Sequence, residues 1–309
     1  MKTLFIYHGG CFDGFTAAWV YSRFVDRDAE FLPAKYGDPA PDVRGRNVVI
    51  ADFSYPRDVM FKIACDAEAL TVLDHHVTAQ EALDGLEKQV LLETGKEIRV
   101  VFDMERSGAG ITWDEAVDFK DKLAWMQMTG QGFRGQRLAL VNYVEDRDLW
   151  RMSLPKAHEY MANVYAAPMT FESWDELHAR KLESMLTRGE GILAYMEQYG
   201  TKALDEAHQL RWPKLWRVRW AAAPDDNPRQ LVWCVNMPYM NCSDYLNRLL
   251  AEKGTPFVAS YFRRADGRWQ FSLRSTPEFD CSAVAKLFGG GGHKQASGFD
   301  VADLAEVFA

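Results

Sequence analysis

The sequence predicts an α/β protein of two lobes around a cleft: an N-terminal parallel-sheet domain, a helical connector and a smaller α/β C-terminal domain. Three observations predict it. Over residues 1–155, short apolar runs alternate with helix-length stretches, the pattern of strands joined by crossover helices. Over residues 156–212, strand-like runs disappear and Glu, Lys, Leu, Met and Ala dominate. Over residues 213–309, short strand-like runs return between helical segments. A chain of 309 residues also exceeds the size at which a single hydrophobic core keeps growing.

The elements follow in order. Leu4–Tyr7 is an apolar strand ending at His8, and beyond Gly9-Gly10 a helix runs over Gly14–Val25. Val48–Ala51 is a second buried strand, ending at Asp52. Pro56, whose fixed φ suits a first helical turn, introduces a helix over Arg57–Ala67. Leu70–Leu73 is a third strand and runs into Asp74-His75-His76; Ile98–Phe102 is a fourth. Ser107-Gly108-Ala109-Gly110 then opens a helix near Ile111–Val117. In the connector, helices are expected over Lys156–Tyr165, Phe171–Thr187 and Gly191–Leu210. Beyond it Leu215–Trp220, Gln230–Asn236, Phe257–Phe262 and Trp269–Arg274 read as strands, with helices over Ser243–Lys253 and Ser282–Phe288. Pro224-Asp225-Asp226-Asn227-Pro228 reads as a turn between two of them.

Composition excludes several classes. No apolar run approaches the roughly 20 residues of a membrane helix. Met-Lys-Thr-Leu-Phe-Ile-Tyr is too short and wrongly flanked for a signal peptide. Five cysteines, an odd number without framework spacing, point to free thiols in a reducing compartment, so a cytoplasmic location is expected. A net charge of −8 argues against coating a long duplex through counterion release, while a nucleotide-sized substrate stays open.

The chemistry is concentrated at strand ends. In an open parallel sheet the carboxyl ends of neighbouring strands share one crevice, so His8, Asp13, Asp52, Asp74, His75 and His76 are expected to converge. Several nitrogen and oxygen donors in one crevice point to a two-metal hydrolytic centre. Each residue also has a plainer reading. Asp13 and Asp52 stand where helix caps are common, and Asp52 is otherwise a carboxylate bridging two cations. Three metal-binding side chains in a row, Asp74-His75-His76, are hard to explain by packing. Within Val144–Trp150 either Asp146 or Asp148 should complete the site; Asp146 is favoured, and Asp148 reads as part of an acidic surface turn. Ser107 either leaves backbone N–H groups for an anion or simply caps its helix.

A second concentration lies near the C-terminus. The run Gly289-Gly290-Gly291-Gly292-His293-Lys294 is costly in backbone entropy unless a backbone closely approaches a phosphate. Upstream, Ser272 and Arg274 share one face of a strand, and Arg suits planar recognition of phosphate, although an exposed strand face explains it too. Arg211–Trp220 interleaves basic and aromatic residues; a half-buried strand with a basic face is favoured over base stacking.

Together these residues resemble the DHH phosphoesterase superfamily, named for the tripeptide found here as Asp74-His75-His76. Its members include RecJ-type exonucleases, oligoribonucleases of the nano-RNase type, cyclic-dinucleotide phosphodiesterases and family II pyrophosphatases. Asp13-Gly14, Asp52 and Asp146 match its other metal motifs in order. The Gly289–Gly298 run looks like the glycine-rich signature of the DHH-associated C-terminal domain, which excludes the pyrophosphatase branch; the oligoribonuclease group is the nearest in look. The resemblance implies residues 1–155 as the catalytic domain, 156–212 as connector and 213–309 as the substrate-binding domain. It implies two divalent cations, with Mn2+ foremost and Mg2+ or Co2+ as alternatives. Asp52 would bridge them, with His8 and Asp13 on one side, His75 and Asp146 on the other, and Asp74 binding or orienting His75. His76 would contact the scissile phosphate, and Arg274, Gly290, Gly291, Gly292 and His293 would hold the terminal nucleotide. The implied activity is hydrolysis of short single-stranded oligonucleotides to nucleoside monophosphates. A phosphatase or cyclic-nucleotide phosphodiesterase, and a non-catalytic nucleotide binder with a degenerate centre, are the alternatives. One departure bears on the centre: Cys11 stands where many members have the first Asp of a D-x-D pair, and it is expected to be a bystander.

Overall fold

The structure is a computed structural model that describes residues 2–117, 137–217, 231–238 and 242–308. The chain divides into two compact units, 1–193 and 194–309.

The N-terminal unit is built on a five-stranded sheet. Its strands are β1 (Thr3–His8), β2 (Glu30–Ala34), β3 (Asn47–Ala51), β4 (Ala69–Asp74) and β5 (Arg99–Phe102), in the order β2-β1-β3-β4-β5. All neighbours are parallel. The alternation of side chains along a strand divides the core into two layers. Phe5, Tyr7, Val49 and Ala51 face one layer, covered by α1 (Phe12–Phe24) and α5 (Gly108–Ala116). Leu4, Ile6, Val48 and Ile50 face the other, covered by α2 (Arg57–Asp66) and α4 (Leu86–Thr94). Strand β2 leaves little trace in the sequence because it is short and holds Pro33, which a sheet tolerates at an edge. Helix α3 (Val77–Leu83) and α4 are likewise additions to the elements expected from sequence.

Four further helices follow: α6 (Ala139–Asp148), α7 (Ala157–Ala166), α8 (Phe171–Ala179) and α9 (Leu182–Asp205). Helix α6 ends where the sequence reads as an acidic turn, a difference that matters at the site. The expected break near residues 188–190 is absent: α9 runs through Gly189, Gly191 and Gly200. At Gly189 and Gly200 there is no room for a Cβ, against the Glu159 backbone and the Tyr245 ring respectively. Those glycines mark close packing, not helix ends. The segment expected as a connector divides between the two units, because the boundary falls within α9.

The second sheet has six strands in the order β10-β11-β9-β8-β7-β6. They are β6 (His208–Arg211), β7 (Leu231–Asn236), β8 (Phe257–Arg263), β9 (Trp269–Ser275), β10 (Gly291–His293) and β11 (Ala296–Val301). Only the β7–β8 pair is parallel. Helices α10 (Cys242–Lys253) and α11 (Cys281–Lys286) complete the unit. The expected strand from Leu215 is instead a 3-10 turn over Pro213–Arg217; its last three residues and the turn at 224–228 lie outside the described residues. The base-stacking reading of that cluster loses its central ring. Trp212 is fully buried, with Phe257, Phe271, Phe288, Phe299 and Phe308 around it at centroid distances of 5.7–6.1 Å.

Trp212→Ala should therefore lower the stability of the C-terminal unit by roughly 3–5 kcal/mol. Equilibrium urea unfolding of the intact chain measures it, and a loss below about 1 kcal/mol would show that the ring is not the keystone of this core.

Candidate metal centre

The strand order reverses between β1 and β3, the kind of position where open parallel sheets bind ligands. His8 ends β1, Asp52 follows β3, and His75 follows β4. Around them three overlapping donor groups form, within each of which one donor atom per residue lies within 4.8 Å of the others. They are His8, Cys11 and Asp52; Asp52, His75 and His76; and Asp13, His75 and Asp148.

Asp52 is common to two of the groups. Its φ of +55° is left-handed, a conformation Asp tolerates better than most residues. Its backbone N–H still donates to the Leu73 carbonyl at 3.0 Å, so the turn leaves the sheet without breaking the ladder. Carboxylate Oδ1 lies 3.0 Å from His75 Nε2. Oδ2 lies 3.7 Å from His8 Nδ1, is buried, and has no hydrogen-bond partner among the described residues. Two glycines make this burial possible. A Cβ on Gly14 would stand 3.0 Å from Asp52 Oδ2, and one on Gly108 would stand 2.5 Å from Asp52 Cβ.

Asp13 comes from the first turn of α1 and is buried. Its two oxygens accept from Gly108 N at 2.6 Å and Ala109 N at 3.1 Å. The N–H groups at the start of α5 thus bind an anion, but it is the protein's own. Ser107, expected as a phosphate contact, is a buried cap whose Oγ accepts from Gly110 N at 3.3 Å. Its backbone N–H donates to the Glu145 carboxylate at 3.0 Å, and Glu145 bonds Arg137 at 2.6 Å. Nothing in the sequence singles out these two charged residues.

Asp74 is fully engaged. Oδ1 accepts from His76 Nδ1 at 2.7 Å and from His75 N at 2.8 Å, and Oδ2 accepts from the Ser54 hydroxyl at 2.7 Å. It orients His76, not His75, and is not in any of the three donor groups.

The acidic pair on α6 divides between two places. Asp146 accepts from Ser153 N, Ser153 Oγ and Leu154 N at 2.6–3.2 Å. It braces a strained turn in which Trp150 and Met152 both take positive φ. Asp148 instead reaches the site, its Oδ2 3.5 Å from His75 Nε2. The reason is helical phase: at about 3.6 residues per turn, positions i and i+2 point to nearly opposite sides. On a helix over 139–148, only one of the pair can serve.

The electrostatics match a cation site. Burial pushes the Asp13 carboxyl well above its usual range, and the charges of Asp52 and Asp148 push it further. Burial and Asp52 push Asp148 up to about 6. Burial also opposes charge on Asp52, but the hydrogen bond with His75 and the His8 imidazole beside it hold it well below the usual carboxylate range. Burial likewise works against a charged His75, yet the Asp52 hydrogen bond and the Asp13 and Asp148 charges push it up to about 10. Burial, with the nearby carboxylates, raises the Cys11 thiol. Three buried carboxylates crowd one imidazole, and one of their oxygens lacks a partner among the described residues. Divalent cations relieve both conditions.

In the C-terminal unit, Ser272 and Arg274 do share the half-buried face of β9. The Arg274 guanidinium is partly engaged: it bonds Ser243 Oγ and, at 2.7 Å, the Leu273 carbonyl, while its buried Nε has no partner among the described residues. The glycine run is a hairpin approach, not a loose loop. Gly289 and Gly292 have φ of +77° and +131°, and Gly290 has no room for a Cβ against Gly298 and Phe299. Gly291 alone of the last three has open space where a side chain would stand. His293 ends β10 and is exposed.

Residues 234–308 match the DHHA1 domain family. An uncharacterized protein, R106, of Acanthamoeba polyphaga mimivirus is 27% identical over a 319-residue alignment that covers 95% of this chain; the chain spans 66% of that relative's length. Among solved structures, RecJ of Thermus thermophilus in complex with Mg2+ aligns over 98% of this chain and 47% of its own, at 15% identity and a TM-score of 0.42. A pGpG-specific phosphodiesterase, PggH of Vibrio cholerae, aligns over 98% and 94%, at 12% identity and a TM-score of 0.41.

Since Gly108 packs against the Asp52 backbone, Gly108→Ala should destabilise the N-terminal unit by roughly 1–3 kcal/mol, the range for overpacking. Thermal and urea unfolding check it; an unchanged midpoint would mean that α5 can move away from the strand end at little cost.

Proposed function

We propose that the chain is a metal-dependent phosphodiesterase of the DHH phosphoesterase superfamily, whose C-terminal domain family its residues 234–308 match, and that it hydrolyses short oligonucleotides from one end to nucleoside monophosphates. The observation that carries the reading is Asp52, buried, with one oxygen directed to His75 and the other unpartnered among the described residues, beside His8. A carboxylate so placed is suited to being shared between two cations. His8 would serve one of them, and His75, Asp13 and Asp148 the other. Two divalent cations would supply Lewis-acid chemistry there, neutralising charge on a phosphodiester and making a water more acidic.

The chain's own residues have distinct tasks in this reading. Asp13 keeps the ends of α1 and α5 together and brings its charge to the centre. Asp74 fixes the His76 ring through Nδ1, which sets the direction of the Nε2 edge toward a phosphate oxygen. Burial disfavours a charged His76, but the Asp74 hydrogen bond and charge raise its pKa. Support for a nucleotide substrate comes from the C-terminal unit. Arg274 offers a charged fork on a half-buried strand face, and Gly291 leaves backbone open to close approach.

Variants at the centre and a substrate panel test this. Asp52→Asn, which suits the left-handed backbone, and His75→Ala should each lower turnover of a dinucleotide by well over tenfold, about 1.4 kcal/mol of barrier. Asp148→Asn should lower bound Mn2+ as measured by equilibrium dialysis, whereas Asp146→Asn should keep the metal and lower the thermal midpoint. Retained activity in Asp52→Asn would refute the two-metal assignment. A substrate panel of dinucleotides, longer RNA and cyclic dinucleotides completes it, and cleavage confined to the cyclic compounds would overturn the linear substrate.

Arg274→Ala should weaken binding of a dinucleotide by roughly 1.5–3 kcal/mol, the range for a charge-assisted hydrogen bond. Hydrolysis of bis-p-nitrophenyl phosphate and the bound-metal content should barely change. Equal losses on both substrates would remove Arg274 from substrate recognition.

A further inference from the structure

Resting on the metal-centre reading, we propose that Cys11 is a ligand of the cation held by His8 and Asp52. That half of the centre would then take a borderline, thiophilic cation of the Zn2+ or Co2+ class in preference to Mn2+ or Mg2+. The Cys11 sulfur, a His8 ring nitrogen and an Asp52 oxygen all lie within 4.8 Å of one another. Donors around a tetrahedral cation with bonds of about 2.0–2.3 Å stand roughly 3.3–3.7 Å apart, so only small shifts are needed. Independently of the cysteine, Asp52 is 1% exposed and its Oδ2 lacks a partner among the described residues. A buried acceptor beside an imidazole and a thiol calls for a cation.

Cys11 stands at the N-cap of α1 in an extended conformation, yet its side chain makes no capping hydrogen bond. Capping would favour Ser, Thr, Asp or Asn. A helix N-terminus does stabilise a thiolate, the form that binds metal. The other thiols are placed differently. Cys234, Cys242 and Cys281 are buried in the C-terminal unit, and Cys65 belongs to none of the donor groups. A sulfur donor selects among cations by softness, disfavouring the hard ions that carboxylates alone would accept.

The test uses the full chain, stripped with a chelator and refilled with Co2+. A near-ultraviolet thiolate-to-cobalt charge-transfer band is expected in the wild type. It should vanish in Cys11→Ser and persist in Cys65→Ser, while the visible ligand-field bands remain in both. Cadmium NMR of the unsubstituted protein reports a sulfur ligand directly and needs no variant. In Mn2+–Zn2+ competition, Cys11→Asp should shift the ratio of bound metals toward Mn2+ by at least about tenfold. Stoichiometric Co2+ with ligand-field bands but no sulfur band, and a cadmium resonance without sulfur, would overturn the proposal and leave the metal centre standing. Failure of the wild type to bind any of these cations would overturn the centre itself.

Discussion

Buried like charge is the constraint around which the N-terminal unit is organised. Asp13, Asp52 and Asp148 are brought together at the ends of parallel strands, where each disfavours the ionised form of another. Such a cluster persists only if the fold forces it and something neutralises it. The forcing is visible in the packing. Asp13 is clamped by the first N–H groups of α5, and the two helices that meet the strand ends do so through Gly14 and Gly108. Neutralisation within the protein comes from His75, which stands within 3.0–3.9 Å of all three carboxylates. His8 and His76 stand beside Asp52 as well, and a divalent centre would add the further positive charge that three close carboxylates call for.

The supporting shell extends the same logic outward. Ser54 and Asp74 hold His76; Arg137 and Glu145 hold the start of α5. Asp146 holds the turn that ends α6, the helix delivering Asp148. Precision at a metal centre depends on such partners as much as on the ligands.

What can be read from the sequence, and what cannot, follows from the kind of signal each feature leaves. Strands β1, β3 and β4 are buried on both faces, so they appear as short apolar runs, and their polar ends stand out at once: His8, Asp52 and the Asp74–His76 tripeptide. Helix α6 has no such signature. It mixes buried Leu140, Val141 and Val144 with buried Glu145 and Asp146, so its acidic end reads as a surface turn, and the carboxylate that stands beside His75 is Asp148, two residues beyond the one favoured from sequence. Asp74 and Ser107 read as residues facing a ligand because one partner of each comes from elsewhere in the unit: Ser54 for one, Glu145 for the other. Contacts of that range leave no local pattern. The glycine run shows the converse. Its entropy cost is legible, but most of it is explained by the turn after α11 at Gly289 and by the tight β10–β11 pairing, which leaves Gly291 as the position the fold does not require.

The left-handed backbone at Asp52 has a consequence for how this position can vary. Glycine, asparagine and aspartate are the residues that enter this conformation most readily, and β-branched or bulky residues the least. Of the three, only aspartate carries a carboxylate. Backbone geometry and ligand chemistry therefore filter the mutational neighbours of Asp52 independently, and one residue passes both filters. A glutamate retains the charge but lengthens the side chain where Gly14 and Gly108 leave no slack; an asparagine retains the turn but not the charge. Position 52 is therefore held by two unrelated requirements at once.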